Sequence, residues 1–333
     1  MSKIAINGLG RIGRATLKVI MEDKDLDLVA VNDLVPAKTL AYLLKYDTVY
    51  GRFPGTVEAT GDGLVINGKT IKVFSEKDPA KLPWKDLGIK LVVESTGFFT
   101  EMDGAKAHLE AGADHVIISA PTKSPELATV VHGVGHPEAK EKRIFSCASC
   151  TTNSITPVVE VMGRRIGIDK AILTTVHSYT STQALVDSPS KKHRRGRAAA
   201  QNIVPSTTGA AVATTKVLPQ HEGKFDGIAL RVPTPVGSVS DIVFVSSRAT
   251  NVDEINSIFR EEAGSDRYRD ILAVSDDEIV SSDIIGDAHA SIVDLTMTTV
   301  VDGNLVKVLA WYDNEWGYSN QMVREARSVL GIS

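Results

Sequence analysis

Cys150 is one of two cysteines in 333 residues, and its surroundings suit a nucleophile. It stands in Phe145-Ser146-Cys147-Ala148-Ser149-Cys150-Thr151-Thr152-Asn153-Ser154, after an apolar, strand-like approach. Ile155, Val158, Val159, Val161 and Met162 then recur at helical spacing, which places Cys150 near a helix start. Unpaired backbone N–H groups there stabilise a thiolate, the nucleophilic form of cysteine. Ser149 and Thr151 add hydroxyl donors for an anion or a developing oxyanion. A buried small hydrophobe is the plain alternative. A cysteine nucleophile needs a base or an imidazolium neighbour, and His177, in Thr174-Thr175-Val176-His177-Ser178-Tyr179-Thr180, is a candidate on or just after a strand. A satisfied core histidine fits that position equally. Arg231 ends a strand ahead of Pro233 and could clamp a phosphate or pair with a surface carboxylate. The basic run Lys191-Lys192-His193-Arg194-Arg195-Gly196-Arg197 reads as a solvated loop, a phosphate contact, a subunit interface or a small nucleic-acid patch. Hydroxyls and a glycine in Pro205-Ser206-Thr207-Thr208-Gly209-Ala210 make either an anion site at a helix start or an ordinary N-cap.

These groups need elements to position them. Lys3-Ile4-Ala5-Ile6-Asn7 reads as a buried strand running into Gly8-Leu9-Gly10-Arg11-Ile12-Gly13-Arg14, after which Ile12, Leu17, Ile20 and Met21 share a helical face. Strand, G-x-G-x-x-G and helix in that order suit a dinucleotide: Gly8, Gly10 and Gly13 allow a tight turn and close backbone approach to a pyrophosphate. Asp33 closes the next strand about twenty residues past the last glycine, where a carboxylate can accept hydrogen bonds from an adenosine ribose. A glycine turn followed by a solvated aspartate is the alternative. A helix over 38–46, a hairpin over 64–73 turning at Asn67-Gly68, a strand over 91–97, a helix over 101–111 and a strand over 115–119 continue the alternation. Such alternation implies a parallel sheet with ligands at its carboxyl ends, which makes Thr96, Gly97 and Ser119 candidate cofactor contacts or ordinary strand-end turns. Beyond Cys150, strands over 171–179, 225–231, 238–247, 290–301 and 305–311 dominate, with helices over 208–217, 252–264 and 322–330. Strands paired largely without intervening helices imply a mixed or antiparallel sheet. The expected fold class is α/β: a Rossmann-type dinucleotide-binding domain over 1–149, plus an α+β catalytic domain over 150–315 with a mixed or antiparallel sheet. The helix over 316–333 is expected to pack back on the first domain.

Length agrees with two domains of about 100–200 residues. A net charge of −4 recruits neither nucleic acid nor an anionic membrane in bulk. No apolar run is long enough to span a bilayer and the chain begins with a strand rather than a signal peptide, so a cytoplasmic location is expected. Two cysteines form no disulfide framework, and the single C-x-x-C of Cys147 and Cys150, without a second pair or nearby histidines, argues against a metal site on spacing.

In chain order, Ile6-Asn7-Gly8-Leu9-Gly10-Arg11-Ile12-Gly13-Arg14, Ser149-Cys150-Thr151-Thr152-Asn153, His177-Ser178-Tyr179-Thr180, Arg197-Ala198-Ala199-Ala200, Thr208-Gly209-Ala210-Ala211, Arg231-Val232-Pro233-Thr234-Pro235 and Trp311-Tyr312-Asp313-Asn314-Glu315-Trp316-Gly317-Tyr318 resemble phosphorylating glyceraldehyde-3-phosphate dehydrogenase along the whole length. The resemblance implies NAD-dependent oxidative phosphorylation of glyceraldehyde 3-phosphate in glycolysis and gluconeogenesis. Cys150 would form a thiohemiacetal and then, with His177 as base and hydride passing to the nicotinamide, a thioester that inorganic phosphate attacks. Arg11 and Ile12 match the family's pyrophosphate contacts, Asp33 its ribose ligand, Lys77 and Ser119 further cofactor contacts, and Asn314 the residue fixing the nicotinamide carboxamide. Thr180, Arg195 and Arg231 match the surroundings of the substrate phosphate, and Ser149, Thr151, Thr208 and Gly209 those of the attacking phosphate. The basic run matches part of a loop lying between subunits of a homotetramer and beside the cofactor. Cys147 stands where the family usually has Asn, and Ser154 where it usually has a second cysteine. Cys147 could pair reversibly with Cys150 on oxidation, or be a buried tolerated substitution. Asp33, Leu34 and Pro189 favour NAD, while Ser188 leaves some NADP use open. Erythrose-4-phosphate dehydrogenase, of the same fold, is the alternative enzyme, and a nucleic-acid-binding protein the alternative of another class.

Overall fold

The computed structural model describes residues 1–61, 63–135 and 142–332. The chain divides into two compact units, one made of Met1–Val130, His136–Ala148 and Met322–Ser333, the other of Val131–Gly135 and Ser149–Gln321. In the first unit the strands are β1 (Ser2–Asn7), β2 (Leu26–Asn32), β3 (Tyr46–Asp47), β4 (Gly51–Arg52), β5 (Val57–Thr60), β6 (Gly63–Ile66), β7 (Lys69–Phe74), β8 (Leu91–Glu94), β9 (His115–Ile118), β10 (Ala128–Thr129) and β11 (Ile144–Ser146). Its helices are α1 (Arg11–Glu22), α2 (Ala37–Lys45), α3 (Trp84–Leu87) and α4 (Met102–Glu110). Nine strands form one sheet in the order β10-β11-β9-β8-β1-β2-β7-β6-β5. It is parallel as far as β7 and antiparallel beyond, where Asn67 and Gly68, at φ of 51° and 80°, make the tight hairpin their residue types predict. From β1 the chain proceeds to β2 on one side, while β8 lies on the other. The sheet therefore switches direction at the carboxyl ends of β1 and β8, where open α/β sheets bind ligands.

The second unit contains α5 (Cys150–Arg165), β12 (Ile168–Ser178), β13 (Val204–Thr207), α6 (Ala210–Val217), β14 (Phe225–Val232), β15 (Ser238–Ser246), α7 (Val252–Ala263), β16 (Leu272–Ser275), β17 (Ser291–Val301) and β18 (Leu305–Tyr312). The last helix, α8 (Trp316–Val329), runs from this unit into residues counted with the first, where Arg327 pairs with Asp23 at 2.7 Å. The seven-stranded sheet has the order β13-β14-β12-β15-β18-β17-β16 and is mixed. Its β12 runs parallel to β14 but antiparallel to β15. Alternate residues of β15 are buried, as a sheet with one covered face requires. Ile242 and Phe244 of that strand meet Ile155, Val158, Val159 and Met162 of α5 and Ile255 and Phe259 of α7 in the main core.

Two sequence expectations shift. Residues 204–207 form edge strand β13, so the helix expected from 208 begins at Ala210; the hydroxyl-rich stretch pairs with β14 rather than opening a helix. Val131–Gly135 belongs to the second unit, because Val131 and Val134 join its core and Arg267 donates to the carbonyls of Gly133 and Val134.

Candidate active site

Cys150 is the first residue of α5. Ser149 caps the helix, its Oγ accepting from Thr152 N at 3.1 Å. Ala148, just before, holds a left-handed φ of 55°, so the chain turns sharply into the helix. The backbone N–H groups of Cys150 and Thr151 and the Thr151 hydroxyl, at the helix start, favour the charged form of the sulfur. Thr151 Oγ1 also meets Tyr312 Oη at 2.9 Å, and Tyr312 Oη meets Thr175 Oγ1 at 2.8 Å.

His177 arrives from the end of β12, buried, with Nε2 3.4 Å from Cys150 Sγ and the Tyr312 ring edge-on at 5.9 Å. The parallel register of β12 and β14 sets Arg231 directly beside it. Arg231 Nη1 lies 2.8 Å from His177 Nδ1 and 3.0 Å from Ser178 O, and His177 Nδ1 is itself 2.7 Å from that carbonyl. A guanidinium only donates and a carbonyl only accepts, so the two contacts at Nδ1 call for opposite tautomers of His177: Nδ1 accepting from Arg231, or Nδ1–H donating to Ser178 O with Nε2 bare towards the sulfur. No carboxylate pairs with Arg231 among the described residues, and its buried Nε has no partner. Of the two sequence alternatives for Arg231, the surface ion pair is thus absent. Burial, then Arg231 and Arg195, push His177 down to about 3, so the imidazole is neutral. Burial pushes the Cys150 thiol up, while Arg231 and the helix-start donors pull it back.

Arg195 donates to Ser206 Oγ at 3.0 Å and to Thr182 Oγ1 at 3.4 Å, and Thr180 Oγ1 lies 2.9 Å from Thr182 Oγ1, so Thr180 and Arg195 belong to one polar chain. Thr208 Oγ1 accepts from Ala210 N, and Gly209 is the N-cap residue of α6. Asn314 lies just past β18, its Oδ1 accepting from Ser178 Oγ at 2.9 Å.

In the first unit, a cleft of about 490 Å³ opens at the switch between β1 and β8, lined by Gly8, Gly10, Asp33, Lys77 and Thr96 together with Asn7, Asn32, Leu34, Glu76, Ser95, Phe98 and Phe99. Gly8 has φ +92°, and a Cβ there would stand 2.7 Å from Thr96 N; a Cβ on Gly13 would stand 2.0 Å from Gly8 O. Those two glycines serve chain packing. A Cβ on Gly10 would have nothing within 4 Å, which leaves the α1 N-terminus open to a pyrophosphate. Asp33 is oriented by Leu9 N on Oδ2 at 2.7 Å and Val35 N on Oδ1 at 2.9 Å. A dinucleotide fits this set: open N–H groups for phosphate and a fixed carboxylate for ribose. Arg11, Ile12, Gly97 and Ser119 do not line the cleft. Arg11 turns its guanidinium to Asp47 at 2.7 Å, so at α1 it and Ile12 offer backbone N–H groups only. Ser119 N instead bonds to Glu94 O.

Sequence reasoning missed the supports. Glu94 accepts from Asn7 Nδ2 at 2.6 Å and from Thr96 N at 2.8 Å, and lies 3.0 Å from His108 Nε2; Asn32 Nδ2 donates to Asn7 Oδ1 at 2.7 Å. This buried network ties three strand ends under the cleft. The signal available was a polar residue ending each buried strand. Cys147 is buried, and burial with Glu325 pushes its thiol well above the ordinary range, which fits a buried substitution and a poor nucleophile.

Residues 2–102 match the family model for the NAD binding domain of glyceraldehyde 3-phosphate dehydrogenase, and residues 149–314 that for its C-terminal domain. The chain is 53% identical to the glyceraldehyde-3-phosphate dehydrogenase of Thermotoga maritima, over 99% of each chain. It is 48% identical to that of Streptomyces coelicolor, over 96% of each. Glyceraldehyde-3-phosphate dehydrogenase 1 of Trichormus variabilis is 49% identical, over 98% of this chain and 96% of its own.

Proposed function

Because this chain belongs to the glyceraldehyde-3-phosphate dehydrogenase family, we infer that it catalyses the NAD-dependent oxidative phosphorylation of glyceraldehyde 3-phosphate in glycolysis and gluconeogenesis. The observation that carries this reading is Cys150 at the start of α5 with His177 Nε2 3.4 Å from its sulfur and the uncompensated Arg231 alongside. Gly8, Gly10, Asp33, Lys77 and Thr96, with backbone N–H groups of Arg11 and Ile12, would hold NAD, and Asn314 its carboxamide. Bound NAD supplies the two-electron acceptor.

The Cys150 thiol gives up its proton and attacks the aldehyde carbon, and the carbonyl oxygen takes up one proton to become the hydroxyl of a thiohemiacetal. To take that proton, His177 needs the lone pair on Nε2. The tautomer with Nδ1–H donating to Ser178 O at 2.7 Å supplies it, and a substrate phosphate that draws Arg231 away favours that tautomer. Oxidation of the Cys150-bound carbon leaves a thioester, which inorganic phosphate cleaves to the acyl phosphate, returning the thiolate. Thr180, Arg195 and Arg231 would hold the substrate phosphate, and Ser149, Thr151, Thr208 and Gly209 the incoming one. In this role Ser149 keeps its capping bond and offers its remaining hydrogen-bonding capacity.

We further propose a cytoplasmic homotetramer. No helix among the described residues is long and apolar enough to cross a membrane. The test is NADH formation from glyceraldehyde 3-phosphate with and without inorganic phosphate, with NAD and NADP in parallel. Strong phosphate dependence, preference for NAD and loss of at least about 1000-fold in Cys150→Ser are expected. Phosphate-independent turnover, faster with erythrose 4-phosphate, would point to the hydrolysing relative instead.

A further inference from the structure

The Asn314 side-chain oxygen is ringed by donors: Ser178 Oγ at 2.9 Å, Ser238 Oγ at 3.0 Å and Gly237 N at 3.2 Å. The Gly237 N–H can only donate, so the oxygen belongs on that side and the amide nitrogen on the other. Ser238 Oγ also accepts from Ser178 N at 3.1 Å, which commits its proton to Asn314. The backbone on either side is fixed as well. Asp313 Oδ1 accepts from Glu315 N and Trp316 N, and its Oδ2 from Gly286 N at 2.8 Å. Asn314 Nδ2 has no acceptor among the described residues, although the residue is 5% exposed. Ser178 also supplies the carbonyl that faces His177 Nδ1.

We propose that Ser178 and Ser238 are positioning residues that lock the Asn314 amide with Nδ2 presented as a donor, so that the site selects the rotamer of the nicotinamide carboxamide whose carbonyl oxygen faces Asn314. The inference rests on the family reading, which places the carboxamide at Asn314. It makes a distinction between cofactors. The 3-acetylpyridine analogue of NAD keeps the ring carbonyl and lacks the NH2 group. A locked Nδ2 donor therefore accepts both cofactors. When a hydroxyl is lost and the amide can turn, Oδ1 seeks an N–H that NAD provides by rotating its carboxamide and the analogue does not.

The experiment is steady-state kinetics of wild type, Ser238→Ala and Ser178→Ala with NAD and with the acetylpyridine analogue. We expect KM for NAD to rise about tenfold in Ser238→Ala, and the ratio of kcat/KM for the analogue to that for NAD to fall by about threefold or more. KM for glyceraldehyde 3-phosphate at saturating cofactor should stay within about twofold. Ser178→Thr, which keeps the hydroxyl, should restore the ratio. A merely structural role would weaken both cofactors alike, so an unmoved ratio overturns the proposal whether or not KM changes. Thermal melting checks folding, and if Ser178→Ala does not fold, Ser238→Ala reports on the same oxygen. A wild-type protein inactive with glyceraldehyde 3-phosphate, NAD and phosphate would overturn the family reading, an outcome distinct from an active wild type with unmoved variants.

Discussion

At Cys150 and His177, burial and charge pull against each other. Burial favours the neutral thiol and the neutral imidazole, and Arg231 opposes it at sulfur while reinforcing it at the ring. A phosphate held by Arg231 and Arg195 would offset both cations near His177. The ring should then titrate higher and carry its proton on Nδ1, with Nε2 free. Ring-nitrogen NMR of His177, with and without inorganic phosphate, should show that upward move and a larger share of the Nδ1–H tautomer; identical spectra would remove Arg231 from the control of the base. The stability consequence has a definite sign. His177 is held at about 3 against 6.5 for the ordinary group, so the stability it contributes is present above 6.5 and is lost as pH falls towards 3. His177→Gln should flatten that part of the stability curve in chemical denaturation.

Among the elements, the turn from β1 into α1 separates two kinds of glycine. Gly13 lies against Gly8 O, and any Cβ there meets backbone, whereas Gly10 faces open space. Gly13→Ala should cost about 3 kcal/mol or more by overpacking. Gly10→Ala should change stability by within about 1 kcal/mol, as expected at a helix N-cap. Its effect should fall on NAD, whose pyrophosphate would meet the new methyl, with a rise in dissociation constant of about tenfold or more. Denaturation and cofactor titration of the two variants should separate cleanly, and a Gly10→Ala protein binding NAD normally would place the pyrophosphate elsewhere.

At the scale of the whole molecule, the second unit leaves large apolar side chains in solvent: Leu185 is 81% exposed, Val186 69% and Ile203 68%. Such side chains call for a covering partner when they cluster, and the proposed homotetramer would supply one. Sedimentation equilibrium should give four copies, and Leu185→Asp with Val186→Asp should shift the protein towards smaller species; a wild-type monomer would discard the assembly.

The sequence alone determined what local pattern can carry. Turn chemistry at Asn67-Gly68, the glycines before α1 and the apolar spacing after Cys150 each act within a few residues, where backbone sterics and helical periodicity decide the outcome. They were sufficient to place Cys150 at a helix start and a dinucleotide cleft at the end of β1. The placing of Arg231 beside His177 was decided only by the tertiary structure, because it depends on β14 pairing parallel to β12 across 54 positions. Likewise Ser238 reaches Ser178 and Asn314 only once β15 lies between β12 and β18. Strand pairing follows from which faces can be buried together over long loops, and no local period records it. The chemistry of Cys150 was therefore legible in its neighbours, and the protonation of His177 and the orientation of Asn314 were not.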